Sequence, residues 1–440
     1  MSPSENSQDV KIIGGHELSG SVKTNSAKNS TVAVIAASLL NQAPTTLHNV
    51  SRIADVHRLL EAAESLGVKL DWLDDKTLTL TPPDRLAIED LDHQAILRGG
   101  RSTILFLGAV AAQHKKFNWP HAGGCKMGER TITAHRHGLK DLGIEIVTTE
   151  EYYEIDATAA ASGETTLYES SDTATENIII SAAKIPGKTT VHFAQANYMV
   201  QEVCFYLEKL GIKIEGVGTS KLIIHGQSEI NTPVEYHIGE DPIESMMFIA
   251  AAGTTHSKLL IQNCPIDFLR RELITLAAMG LEFSVSEEYL SNNGRTKLVD
   301  IIVLPSDLIA PPDKIHALPY PGINSDNLPF FVPLATQATG LTLIHDWMWE
   351  NRALYFTEIN RLGADIRLAD PHRVYVNGPT KLRGARVVCP PALRPSMIIL
   401  VSMLAAEGES VLHSVHPINR GYENIFERLN QIGARIEVLN

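Results

Sequence analysis

The chain has 440 residues, four cysteines and a formal net charge of −13. That length exceeds what one hydrophobic core supports and points to two or three domains, and the acidic balance excludes a general binder of nucleic acid or anionic membrane. With 44% apolar and 20% charged residues, the composition is that of a globular protein.

The first residues, Met1-Ser2-Pro3-Ser4-Glu5-Asn6-Ser7, are polar and contain no hydrophobic signal region. No apolar run approaches the length of a membrane span. Cys125, Cys204, Cys264 and Cys389 are far apart, with neither a C-x-x-C pair nor a histidine at zinc-binding spacing. Such cysteines suit a reducing compartment. The expectation is a cytoplasmic protein with no metal site, no nucleic-acid partner and no membrane partner.

Along the chain, one signal recurs six times: Leu-, Met- or Ile-Gly followed by an alternating strand. It reads Leu66-Gly67-Val68-Lys69-Leu70, Leu142-Gly143-Ile144-Glu145-Ile146 and Leu210-Gly211-Ile212-Lys213-Ile214. It returns as Met279-Gly280-Leu281-Glu282-Phe283, Leu362-Gly363-Ala364-Asp365-Ile366 and Ile432-Gly433-Ala434-Arg435-Ile436. A left-handed glycine ends a helix, and a strand of period two begins. Between these signals lie helices that are apolar almost all round, over 30–40, 102–113, 177–184, 244–252, 330–338 and 396–406, and each is expected to be buried. Turns such as Gly187-Lys188 and Glu407-Gly408-Glu409 follow some of them, then a β-branched strand such as 189–193. Six copies of one unit imply a duplicated supersecondary element and two pseudo-symmetric domains. The expected partition is 1–27 with 240–440, and 28–239, three repeats each.

The loop Gly123-Gly124-Cys125-Lys126-Met127-Gly128-Glu129-Arg130 precedes a helical pattern over 131–142. Its glycines let backbone come close to a ligand, and Lys126 and Arg130 oppose a helix dipole unless an anion is bound. A thiol in such a cationic loop has a lowered pKa. A tight surface turn with an ordinary cysteine is the other reading. Both stay open on the loop alone.

Gly-Gly-Cys-x-x-Gly-x-Arg at 123–130, Ala27-Lys28-Asn29, Glu350-Asn351-Arg352 and Asn419-Arg420-Gly421-Tyr422-Glu423, in that combination, resemble the enolpyruvyl transferases, and specifically their nucleotide-sugar branch. The resemblance runs from Lys11 onward. It implies an α/β (α+β) fold of two inside-out α/β barrels, built from six βαβαββ-type repeats, with the active site in the cleft between domains. It implies phosphoenolpyruvate and UDP-N-acetylglucosamine as small-molecule substrates, an enolpyruvyl transfer to the sugar 3-hydroxyl with loss of phosphate, and no metal or organic cofactor. The branch serves peptidoglycan synthesis and is the target of fosfomycin.

By the same resemblance Lys28, Arg130, Arg352 and Arg420 hold phosphoenolpyruvate, and Arg101 lies near the phosphate and sugar. Arginine forks suit such oxyanions. Asn29 bonds the sugar or the developing intermediate. Cys125 protonates the methylene carbon or covers the enolpyruvyl group, and fosfomycin alkylates it. Asp326 removes the proton from the attacking hydroxyl; a helix N-cap is its alternative role. Asp241 is expected to cap a helix, and His121, His135 and His137 are either packing residues or nucleotide contacts.

Some positions depart from the family pattern. The aspartate of its Asp-Leu-Arg motif is Ala392 here, the acidic Arg-Glu-Pro-Glu segment is Gln195-Ala196-Asn197-Tyr198, Ser-Val-Gly is Ser171-Asp172-Thr173, and a proline is Thr131. Two further readings are therefore carried: an enolpyruvyl transferase for another nucleotide acceptor such as UMP, and a catalytically inactive protein that binds a nucleotide sugar.

Overall fold

The rhythm of the fold is set by the residue that closes each exposed helix. In the computed structural model, which describes residues 8–89, 91–121 and 132–439, Gly67, Gly143, Gly211, Gly280, Gly363 and Gly433 all take positive φ, between 74° and 101°. At five of them a paired bond closes the helix: the N–H after the glycine donates to a carbonyl five residues back, as in Val68 to Ala63 at 3.2 Å and Ile144 to Leu139 at 3.0 Å. The strands Lys69–Trp72, Glu145–Thr148, Lys213–Glu215, Phe283–Val285, Asp365–Asp370 and Ile436–Leu439 then begin within three residues. The fifth repeat differs in one respect. Its exposed helix, Arg352–Leu362, is 3-10 rather than α.

The apolar helices fall where their patterns place them. Lys28–Ser38, Asp172–Ala183, Pro242–Thr254 and Leu393–Ala405 are single α-helices. The other two each begin as a 3-10 turn, Gly100–Leu105 before Phe106–Ala111 and Leu328–Phe330 before Phe331–Gln337. Every residue of Pro242–Thr254 is buried. A helix with no polar face has no solvent side, so it must be wrapped by the sheets and helices around it.

The described chain falls into two units, residues 8–25 with 240–439, and residues 26–121 with 132–239. Each holds three sheets among the described residues. Five of the six share one plan, three antiparallel strands with a fourth strand parallel at one side, and in one of them Tyr289–Leu290 adds a fifth strand. The sixth, of Lys116–Pro120, Tyr152–Asp156 and Glu145–Thr148, has the three antiparallel strands. Residues near the N-terminus complete the 240–439 unit: Asp9–Gly14 lies between Gly408–His413 and Ile436–Leu439, and Ser21–Lys23 pairs in parallel with Leu259–Pro265. In the other unit, Val234–His237 returns to pair in parallel with Thr45–His48. Each unit is closed by strands remote in sequence. Among the described residues no helix is long and apolar enough to cross a membrane.

The cap glycines separate two costs. A Cβ at Gly143 would stand 2.2 Å from the carbonyl oxygen of Ala159, whereas at Gly211 nothing lies within 4 Å. Gly211→Ala should therefore cost only the left-handed conformation, about 1 kcal/mol, and Gly143→Ala about 3 kcal/mol through added overlap. Urea unfolding midpoints of the two variants measure the difference.

Candidate functional site

In the 240–439 unit the site is organised around a turn. Asn324 anchors it: its N–H donates to Glu272 Oε1 at 2.9 Å, and its Oδ1 accepts from the Asp326 N–H at 2.8 Å. Asn327 donates its side-chain amide to the same Glu272 oxygen at 2.8 Å. Burial raises the Glu272 carboxyl, and these hydrogen bonds oppose the rise. The helix-capping alternative for Asp326 does not hold. The 3-10 turn Leu328–Phe330 starts after Asn327 and has no side-chain cap.

The Asp326 carboxylate instead meets two arginines. Arg394 Nη2 donates to its Oδ2 at 3.2 Å, and Arg352 Nη1 stands 3.5 Å from its Oδ1. Asp326 is part-exposed, at 24%, while Arg352 is 1% exposed. The buried guanidinium is held by Asp346, itself fully buried: Nε to Oδ2 at 2.5 Å and Nη2 to Oδ1 at 2.8 Å. Nη2 also donates to the Ser325 carbonyl at 2.7 Å. Burial raises the Asp346 carboxyl, against the charge and hydrogen bonds of Arg352. The planar fork thus fixes both the strand end that carries Asp346 and the turn that carries Asp326.

Arg394 is the second residue of Leu393–Ala405, whose N-cap, Ala392, supplies no side-chain hydrogen bond. Its Nη1 donates to the Tyr422 hydroxyl at 2.7 Å, and its Cζ lies 5.4 Å from the centre of that ring. Asp241 caps Pro242–Thr254, accepting from the Ile243 N–H at 2.8 Å. Burial pushes its carboxyl up to about 6, with Arg394 opposing and Glu244 adding to the rise. Arg428 Nη2 meets Glu244 Oε1 at 2.8 Å. Arg420 is half-buried and follows the short helix His416–Asn419.

In the 26–239 unit, Lys28 opens the helix Lys28–Ser38 and its Nζ lies 2.5 Å from Asp55 Oδ2. Asn29 Nδ2 donates to the Tyr198 hydroxyl at 3.1 Å. Arg101 sits in the 3-10 turn Gly100–Leu105, half-buried, and its charge acts on His135 and on Tyr153. His135 is a packing residue: Nδ1 accepts from the Asn177 amide and Nε2 donates to Thr173 Oγ1, both at 3.2 Å. Burial, then the Arg101 charge, pushes its pKa down to about 3. His137 is exposed and stacks on Tyr168 at 5.0 Å, and His121 lies against Tyr153 at 4.5 Å. In the departing segments, Ser171 and Asn197 cap the helices Asp172–Ala183 and Tyr198–Lys209. Cys125, Arg130 and Thr131 lie outside the described residues.

Asp346, Arg394 and Tyr422 were not named as site residues from sequence. The available signals were an aspartate directly after the apolar strand Gly340–His345, the arginine kept in Ala392-Leu393-Arg394, and the tyrosine of the 419–423 motif.

The geometry thus gathers Asp326, Arg352 and Arg394 at one place in the 240–439 unit. The model of the EPSP synthase (3-phosphoshikimate 1-carboxyvinyltransferase) family matches residues 12–429. The chain is 34% identical over 428 residues to the UDP-N-acetylglucosamine 1-carboxyvinyltransferase of Bradyrhizobium diazoefficiens, covering 97% of each. It is 32% identical to the protein of that name from Treponema denticola, covering 97% of this chain and 98% of that one. Among solved structures, the enolpyruvyl transferase NikO of Streptomyces tendae shares the fold at TM-score 0.85 and 23% identity, covering 98% of this chain and 99% of that one. An EPSP synthase of Acinetobacter baumannii does so at TM-score 0.74 and 18% identity, covering 98% and 100%. This chain belongs to the EPSP synthase family of enolpyruvyl (carboxyvinyl) transferases.

His135 has a pH consequence. Its folded pKa is depressed, so the unfolded chain binds a proton that the folded chain refuses as pH falls below about 6.5. Its stabilising contribution is complete above that pH and is lost towards pH 3. The difference in unfolding free energy between the wild type and His135→Gln should change by up to about 1.4 kcal/mol per pH unit across this window. Urea titrations at pH 7, 5.5 and 4.5 check it.

Proposed function

We propose that this protein transfers the enolpyruvyl group of phosphoenolpyruvate to the 3-hydroxyl of UDP-N-acetylglucosamine and releases phosphate, the first committed step of peptidoglycan synthesis. The observation that carries this reading is similarity along 97% of the chain to enzymes named for that transfer. The geometry supports it: Asp326 is a part-exposed carboxylate free of any capping task and set between two arginines.

In this reading Asp326 takes the proton of the sugar 3-hydroxyl as its oxygen bonds to C2 of phosphoenolpyruvate. Cys125, or a proton it controls, adds hydrogen to the methylene carbon. The C2–phosphate bond then breaks while a proton leaves the new methyl group, which restores the double bond. Lys28, Arg130, Arg352 and Arg420 hold the phosphate and carboxylate charges, Arg101 lies by the phosphate and sugar, and Asn29 bonds the intermediate. Arg352 acts through one edge, since its other nitrogens are committed to Asp346 and Ser325. Charge fixed in place before reaction is the largest catalytic contribution available to such a site. The domain partition 1–27 with 240–440 and 28–239, and a cytoplasmic location, belong to the same reading. The buried thiols of Cys204, Cys264 and Cys389 support the location.

A different nucleotide acceptor is the second reading, favoured by the departures at 171–173 and 195–198. Phosphate release from phosphoenolpyruvate, measured with UDP-N-acetylglucosamine, UMP and shikimate 3-phosphate in parallel, separates them. Release with the UDP-sugar alone is expected; release with UMP alone transfers the protein to the second reading, and release with none makes it an inactive relative.

A further inference from the structure

We propose that Tyr422 is a positioning residue of this site, whose hydroxyl and ring hold the Arg394 guanidinium on Asp326 so that the carboxylate keeps one orientation and both its arginine neighbours. The inference rests on the reading of Asp326 as the base. Tyr422 is 3% exposed and accepts from Arg394 Nη1 at 2.7 Å, while Nη2 of the same fork reaches Asp326 Oδ2 at 3.2 Å. One planar group thus bridges a phenol oxygen and a carboxylate. Because the fork is rigid, fixing Nη1 fixes where Nη2 points. The ring face 5.4 Å from Cζ adds a second restraint.

The position two residues earlier is Ala392, so this segment brings no carboxylate that would draw the guanidinium elsewhere. Burial raises the Tyr422 phenol, opposed by Arg394 and reinforced by Asp241, Glu244 and Asp326. It therefore meets Arg394 as a neutral acceptor and does not compete with Asp326 for its charge.

The charged and titratable groups around Asp326 come from several elements. Arg352 and Arg394 touch it, and Asp346 acts across Arg352. Asp241 and Glu244 lie behind Arg394 and Tyr422, with Arg428 on Glu244, and Glu272 lies under the 324–327 turn. Loosening Arg394 removes one of the two cations that touch it among the described residues and leaves the carboxylates. The proton affinity of Asp326 must then rise.

The test is the pH dependence of kcat, followed by phosphate release, in Tyr422→Phe. The expected result is a fall of about tenfold in plateau kcat, KM for both substrates within about twofold, and an acid limb moved up by about one pH unit. Arg394→Lys keeps the charge but cannot bond both partners, so its limb should move the same way, and the double variant should add little. A lower kcat with an unmoved limb in Tyr422→Phe means a merely structural role and overturns the proposal, as does wild-type behaviour. If Tyr422→Phe does not fold, an unmoved limb in Arg394→Lys overturns it equally. Undiminished turnover in Asp326→Asn removes instead the reading of Asp326 as base, which the Tyr422 result alone does not touch.

Discussion

A guanidinium at 1% exposure survives in a protein only if its charge and its five N–H groups are answered, and the 240–439 unit is arranged to answer those of Arg352. Asp346 takes two of its bonds from the end of the strand Gly340–His345, and the Ser325 carbonyl takes another. The fork therefore ties the strand to the turn that displays Asp326, and leaves one nitrogen towards that carboxylate. Removing either partner of such a pair strands a buried charge, typically at a cost of about 3–5 kcal/mol. A fixed cation beside a part-exposed carboxylate is a costly feature for a fold to keep, and it fixes the electrostatics around Asp326.

Four of the five described cations share a position, Arg420 being the exception at a helix end. Lys28 is the first residue of its helix, Arg352 the first of a 3-10 helix, and Arg101 and Arg394 the second residues of theirs. Cations at these ends oppose the helix dipole and cost stability when nothing negative is near. Here the resident answers are Asp55 for Lys28, Asp346 for Arg352 and Asp326 for Arg394. For Lys28, Arg101 and Arg394 the buried helices make this placement possible. Each is apolar all round, so its sides are committed to the core and its first turn is where a polar group can face outward.

The repeat was legible because its signals are local. A left-handed glycine and a helix without a polar face are written in consecutive residues, and all six glycines and all six helices lie where those residues put them. The sheets were less legible, since Asp9–Gly14 and Val234–His237 join strands far away in sequence. Arg394 and Tyr422 were missed for a similar reason: a fork shared between residues 326, 394 and 422 has no spacing to reveal it, and Asp346 declares itself only through Arg352. Asp326 had two readings because an aspartate before a helical turn is a common cap; the Asn324 and Glu272 bonds that make it otherwise are long-range or depend on a turn. His135 could not be told from a ligand contact until Asn177 and Thr173 were seen on both ring nitrogens.

The most direct test of the account is the structure of the product. The chain would be incubated with phosphoenolpyruvate and UDP-N-acetylglucosamine, the sugar product examined by proton NMR, and phosphate counted in the same sample. The account predicts a vinyl ether on the 3-oxygen of the sugar, formed one for one with phosphate. An unmodified sugar, a vinyl group on another oxygen, or phosphate released without sugar consumed would contradict it.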